Sequence, residues 1–412
     1  MTTSGTVRRV DELDLPELDV LGVERAEALE RIRAVQAEHW LARTPLGYCV
    51  TRYEDCVAVL RDRRFHSILS VIPELAGVER SRARRRKSIL SMEGAEHDRL
   101  RRLVAPAFTP AAAERLRPEM GRILEGLLDE VADRGACDLQ QEVAERYPIP
   151  VICALLGAPA SDWAKFSHWA TEVFKIFNGT VAEDLPAIEA ALGELDEYVE
   201  ALVARRRAEP RDDLLSALIA IEEEGDRLSG EELVMLVEAL LLAGTDTTRN
   251  QLGCSVALLL EHPEHWALLG ERPELAPRAV EETMRRLGAV RATGRIASED
   301  IEYRGVLFPQ GTLVAVSLAG ANHDPRVFPD PDRLDLTGEG SGERGPVQLT
   351  FGSGVHHCLG AALARAELAE ALPRLARRFP DLALDGPITW KPPTNGIWGP
   401  EHLPVRWTVP AR

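Results

Sequence analysis

The stretch FGSGVHHCLG, Phe351 to Gly360, gathers two histidines and a cysteine into one short segment. Imidazole and thiolate are the side chains that most often hold zinc, so a zinc site is the first chemistry to test. A closed zinc site takes four ligands, usually as two spaced pairs. Here His356, His357 and Cys358 are contiguous, and adjacent side chains do not converge on one ion without strain. No other Cys or His cluster supplies the missing half. The other arrangement is a single thiolate on a loop built for close approach. Gly352, Gly354 and Gly360 remove side chains, so the backbone can lie flat against a large planar group. A helical pattern starts just after Cys358, and the unpaired N–H groups and dipole of a helix N-terminus stabilise a thiolate.

The rest of the chain must position that loop. Its 412 residues are 45% hydrophobic and 28% charged, the composition of an ordinary globular protein with a large core. A formal charge of -17 argues against a nucleic-acid partner, because so acidic a surface repels phosphate. Six cysteines are scattered without a C-x-x-C pair, which fits a reducing compartment better than a disulfide framework. The N-terminal MTTSGTVRRVDELDLPELD lacks the apolar centre of a signal peptide, and apolar runs such as VEALLLAG are too short to span a bilayer. The expectation is a soluble, cytoplasmic protein with no membrane contact.

Helical periodicity dominates, in EALERIRAVQAEHWLA, DCVAVLRDRRF, HDRLRRLVAPAF, PEMGRILEGLLDEVADRG, DLPAIEAALGELDEYVEALVARRRAEP and AALARAELAEALPRLARRF. The longest candidate runs from Gly230 to about Glu261, with Ser229 as cap and His262–Pro263 as stop. Short strands are expected in YCVTRY, in IEYRGVLFPQGTLVAVSL and in LPVRWTV, the middle one as a hairpin turning at Pro309 to Gly311. Residues 1–20 read as a flexible segment and 21–412 as one mainly α domain with small β-sheets.

FGSGVHHCLGAALAR resembles the haem-binding signature of cytochrome P450 enzymes, Phe-Gly-x-Gly-x-His-x-Cys-x-Gly before the last long helix, at every fixed position. The resemblance spans roughly residues 40 to 410. It implies the P450 fold, with haem b held between the long central helix and the helix after the cysteine. Cys358 would be the axial ligand, whose thiolate pushes electron density onto iron and favours O–O cleavage. Phe351, Gly352 and Gly360 would frame the sulfur, and His356 would contact a haem propionate. His357 falls on a variable position.

Other segments agree in the family's order. AGTDTTRNQ in the long helix is poor helix-interior chemistry, since Gly244 costs about 1 kcal/mol against alanine and Thr hydroxyls can bond the i−4 carbonyl. The plain reading is a tolerated kink. The functional one is a local widening for O2, with Asp246 and Thr247 relaying protons and Thr248 structural, as in the family's Ala-Gly-x-Asp/Glu-Thr. In EETMRR, Glu282 and Arg285 share a helix face. They match the family's Glu-x-x-Arg, with Arg333 of PDRL as third, structural partner. His97 and Arg101 of EHDRLRR and Arg295 of GRIASEDIE match the family's propionate-binding positions.

The substrate-facing segments of the family correspond here to Ile68 and Leu69, Phe174 and Phe177, Ala243, Ala289, Val290, Arg291, Ala292, Ile397 and Trp398. Most are apolar, in keeping with a hydrophobic ligand. Arg291 replaces a usually apolar residue, and either snorkels to a propionate or to solvent or holds an acidic group of the substrate. The basic run Arg80 to Lys87 is either a solvated loop or a contact for an acidic or carrier-bound substrate. No flavin or nicotinamide fingerprint is present, so two electrons would come from a ferredoxin and its reductase, docking at a basic patch that includes Arg99 and Arg102. The implied activity is monooxygenation, hydroxylation or epoxidation of a small molecule in secondary metabolism. Peroxide-driven or non-oxygenating haem-thiolate chemistry, and a haem sensor without turnover, are the alternatives.

Overall fold

The computed structural model describes residues 7–71, 85–178, 181–225, 227–338, 347–394 and 396–409, with the side chains of Phe177 and Val181 outside that set. Its axis is the helix Gly230–Leu260. Ser229 starts it with a reciprocal cap: its hydroxyl accepts from the Glu232 N–H, and the Glu232 carboxylate accepts from the Ser229 N–H at 2.8 Å. It ends where Pro263 opens the next helix, Pro263–Glu271.

From Leu233 to Leu259 every residue of the central helix is buried except Ala243, Gly244 and Thr247. The helices Pro148–Leu156, Trp163–Val173, Val181–Ala208, Ala276–Arg286 and Ala361–Arg378 all pack against it. Burial on nearly all faces explains the almost continuous apolar sequence, and the single accessible turn marks where something other than protein can approach. Gly244 has a packing reason: a Cβ there would lie 3.0 Å from Ile152 Cγ1 of the helix Pro148–Leu156. The backbone stays α-helical through this turn. Thr245 and Thr247 hydroxyls donate to the carbonyls of Leu241 (2.8 Å) and Ala243 (3.0 Å) without breaking the ladder.

The main sheet has five strands in the order Leu41–Thr44, Gly47–Val50, Leu313–Ser317, Ala292–Ala297, Phe65–Ser67. Two expectations change here. The run through residue 42 is not all helix: the helix stops at Glu38, and Leu41 and Ala42 enter the sheet core. The hairpin around residue 305 turns at Arg304–Gly305, joining Ile301–Tyr303 to Val306–Phe308, and both turn residues have positive φ (51° and 73°). Pro309–Gly311 instead carries the chain from that hairpin into the five-stranded sheet.

Residues 7–20, expected to be flexible, are packed. Arg8–Arg9 pairs in parallel with Val306–Leu307, and Val10, Leu13, Leu15 and Leu18 are buried. Four leucine or valine side chains spread over nine positions give no helical or strand period, so sequence periodicity missed them. Leu18→Ala is expected to cost about 2–4 kcal/mol in urea unfolding, whereas a free tail would leave the midpoint unchanged.

Candidate active site

Cys358 lies on the loop between the short turn Gly354–His356 and the helix Ala361–Arg378. Gly352 and Gly354 both have positive φ, 69° and 74°. A Cβ on Gly354 would sit 2.2 Å from the carbonyl oxygen of Leu60, so this glycine is demanded by conformation and by contact with the helix Tyr53–Arg61. A Cβ on Gly352 would meet nothing, and one on Gly360 would meet only the cysteine sulfur, at 4.0 Å. The glycines therefore leave a cradle on the sulfur side of the loop. Contacts with other segments pin the loop. Arg365 stacks over the Phe351 ring at 4.4 Å and pairs with Glu281 at 2.5 Å. Arg101 donates to the His357 carbonyl at 2.7 Å, and Arg61 to the Ser353 hydroxyl at 3.1 Å.

Cys358 is exposed on one side, yet the protein packed around it raises its thiol above the ordinary value. The Gly360 N–H, Arg101 and Arg365 act in the other direction and lose. Among the described residues no group of three His, Cys, Asp or Glu could hold a metal ion by itself.

Near this loop stand two arginines without an ion pair among the described residues, and two histidines that have one. Arg295 is 4% exposed and donates to the Thr293 hydroxyl (3.2 Å) and the Gly294 carbonyl (2.9 Å), with no ion pair among the described residues. Burial pushes it down to about 10, with the charge of Glu93 opposing. Arg101 likewise makes no ion pair among the described residues. His97 is buried, and its ring lies 4.5 Å from that of His356, whose Nε2 meets Glu93 at 2.9 Å. Burial first, then the charge on His356, lowers His97. A buried Arg295 and a half-buried Arg101, neither in an ion pair among the described residues, beside a single cradled sulfur, fit a planar macrocycle that carries iron and two carboxylates.

Asp246 and Thr247 are neighbours with different surroundings. Thr247 is half-buried on the accessible turn, while Asp246 is 3% exposed and turned into the protein. Its Oδ1 accepts from Arg249 Nε at 2.8 Å and from Asn250 at 3.3 Å, and Lys391 Nζ lies 4.0 Å away. Arg249 also pairs with Glu145 and donates to Ser167 (2.9 Å) and Thr171 (2.8 Å). Thr248 is buried. Arg249 was readable as an arginine at i+3 from an acid inside an apolar helix; the partners from distant segments were not.

Several expected roles are redistributed. Arg285 grips Glu282 with both ends of its fork, at 2.9 and 3.0 Å. It reaches the Arg333 loop through the carbonyls of Pro331 and Arg333, each at 2.8 Å. The Arg333 guanidinium itself is exposed and is not the third partner; its main chain is, because the loop turns the side chain outward. Arg291 donates to the Pro393 carbonyl at 2.6 Å and covers the Trp398 ring at 5.2 Å, so it braces the C-terminal loop. Ala289 and Trp398 are buried and joined by a main-chain bond of 2.9 Å, which sets Val290 against Ile397. Ala243 and Ala292 are exposed, and Ile68, Leu69, Phe174, Val290 and Ile397 are half-buried. Phe177 closes the turn Phe174–Phe177. Arg99 is committed to Glu232 and the Arg227 carbonyl, whereas Arg102 is exposed. Of the basic run, Arg80 to Arg84 lie outside the described residues; Arg85 pairs with Glu238 and Asp196, and Lys87 with Glu231.

The cradled sulfur, the cationic ring and the one accessible turn of a buried helix define a haem-thiolate protein. Family comparison agrees: the profile described as Cytochrome P450 matches residues 49–271 and 271–383. Nocardicin C N-oxygenase of Nocardia uniformis subsp. tsuyamanensis is 42% identical over 407 residues, covering 97% of this chain and all of that protein. Mycinamicin IV hydroxylase/epoxidase of Micromonospora griseorubida is 41% identical, with 93% and 94% covered. The crystal structure of P450BioI in complex with a hexadec-9Z-enoic acid-ligated acyl carrier protein superposes with a TM-score of 0.86 at 30% identity, covering 93% of this chain and 99% of that one. The chain belongs to the cytochrome P450 family. It is accordingly a haem-thiolate monooxygenase that uses O2 as co-substrate. Among the described residues no helix is long and apolar enough to cross a membrane.

Arg249→Met is expected to destabilise the fold by about 3–5 kcal/mol, because it strands the buried Asp246 beside Glu145 without their shared cation. Arg249→Met/Asp246→Asn should recover much of that loss in the same urea titration.

Proposed function

We propose that this chain oxygenates an apolar small molecule at the accessible turn Ala243–Thr247, with Cys358 as the iron ligand and Arg101, Arg295, His97 and His356 as partners of the haem propionates. The observation that carries this reading is the break in burial: one turn of an otherwise enclosed helix is open, and it bears a hydroxyl beside a buried acid. When bound, the haem supplies the redox chemistry that splits O2. The overall step balances as RH plus O2, two electrons and two protons giving ROH plus water. The residues supply the protons and exclude bulk water.

Thr247 Oγ1 spends its hydrogen on the Ala243 carbonyl and must swing away from it to deliver a proton at the open turn. Asp246, held as a carboxylate by Arg249 and Asn250 one position earlier, must first take a proton from solvent and can then pass it to that hydroxyl through water. Ala243, Ala292, Phe174 and Ile397 supply apolar surface to the substrate. The names of the relatives support a biosynthetic substrate and leave N-oxygenation, hydroxylation and epoxidation as product classes. A carrier-bound substrate, as in the P450BioI complex, belongs to the same proposal. An acidic substrate held by Arg291 does not, since that fork is used on Pro393 and Trp398. Electrons would come from a ferredoxin and its reductase in the cytoplasm, with Arg102 rather than Arg99 offered at the docking face.

The test uses substrate, redox partners and isotopically labelled O2. One labelled atom in the product and one in water is the expected result; product without label would overturn it. Thr247→Val keeps the side-chain shape but loses the hydroxyl, and should lower product formed per O2 consumed by about tenfold or more, with peroxide released instead. Unchanged coupling would remove Thr247 from the proton path.

A further inference from the structure

Glu93 sits at the N-cap of the helix Gly94–Val104, but its side chain caps nothing. Its Oε1 accepts instead from the Ser67 N–H at 2.6 Å and from His356 Nε2 at 2.9 Å. Ser67 ends the strand Phe65–Ser67, where its register partner is Arg295. His97 lies one helical turn beyond Glu93, and Arg101 one turn further on the same face. One carboxylate oxygen thus ties the helix that carries His97 and Arg101 to the His356 loop and to the edge strand beside Arg295.

We propose that Glu93 is a positioning residue for the haem-propionate site, fixing the His356 ring and the edge of the sheet that bears Arg295 through its two hydrogen bonds. The inference rests on the reading that His356 and its neighbours hold the propionates. Burial raises Glu93, but the bonds from His356 and the Ser67 N–H outweigh it and hold the acid below its usual range. As a carboxylate it can only accept, so His356 Nε2 carries a hydrogen. That nitrogen is committed to Glu93, and only Nδ1 remains for a further partner. The fixed ring then costs less entropy when the cofactor docks, because its rotamer is already chosen. Glu93 is also the acid whose charge opposes the effect of burial on Arg295.

The experiment follows haem transfer from holoenzyme to excess apomyoglobin, a readout independent of turnover. His356→Ala is expected to speed release. Glu93→Ala should speed it by about tenfold, the size of one or two charge-assisted hydrogen bonds. Glu93→Gln keeps an acceptor oxygen and should stay within about threefold of the native rate. The double variant Glu93→Ala/His356→Ala should release haem no faster than the faster single variant, since both changes remove one coupled contact. Should the alanine variant not fold, Glu93→Asp, one methylene short, takes its place with the same expected acceleration. A native release rate in Glu93→Ala (or Glu93→Asp) alongside fast release in His356→Ala would overturn the role of Glu93. So would equal acceleration in the Gln and Ala variants. A native rate in His356→Ala would bring down the propionate reading itself, and this inference with it.

Discussion

Cys358 can face a planar group only while its loop is pinned from behind, and the pins differ in strength. The Arg365–Glu281 pair and the Arg61–Ser353 bond are partly exposed, where such contacts contribute at most about 1 kcal/mol each. The steric pin is stronger. At Gly354 a single added carbon would overlap the Leu60 carbonyl oxygen at 2.2 Å, with a backbone φ that side chains rarely adopt. The loop therefore depends on the helix Tyr53–Arg61 being where it is, and that helix in turn packs against the strand Leu313–Ser317 of the main sheet. The N-terminal half of the chain sets the stage for a ligand some 300 residues later in sequence.

Buried charge is the second constraint. Asp246, Arg249 and Glu145 place two carboxylates against one guanidinium inside the protein, with Lys391 only at the margin. A core of apolar side chains would be as stable or more so. Their location beside the one accessible turn of the central helix gives the arrangement a use: it holds an acid close to Thr247 while keeping that acid buried. Glu282 and Arg285 follow the same logic at the other end of the site, where a bidentate pair spends its remaining donors on main-chain carbonyls and so fixes a loop without needing a second side chain.

Much of this was legible because local rules and tertiary needs agreed. The Ser229 cap and the Pro263 stop are dictated by short-range geometry, and the structure uses them as read; Gly354, read as making room for a planar group, instead makes room for the Leu60 carbonyl. Readings that depended on where a side chain turns did not carry over. Arg291, Arg333 and Arg99 were placed by their positions in motifs, but a long guanidinium goes to the nearest carbonyl or carboxylate, and those acceptors come from residues 393, 227 and 232 or point outward. Glu93 was invisible for the same reason: nothing in MEGAEHDR says that an N-cap acid will abandon the cap for a strand and a loop. The packed N-terminal segment escaped because Val10, Leu13, Leu15 and Leu18 follow no period.

The central claim is that one sulfur, Cys358, binds haem iron in this fold. The direct measurement is the absorption spectrum of the reduced holoenzyme under carbon monoxide. The account predicts the red-shifted Soret band of a thiolate-ligated haem, lost in Cys358→Ala. A band of the histidine-ligated type in the native protein, or a red-shifted band that survives in Cys358→Ala, would contradict it.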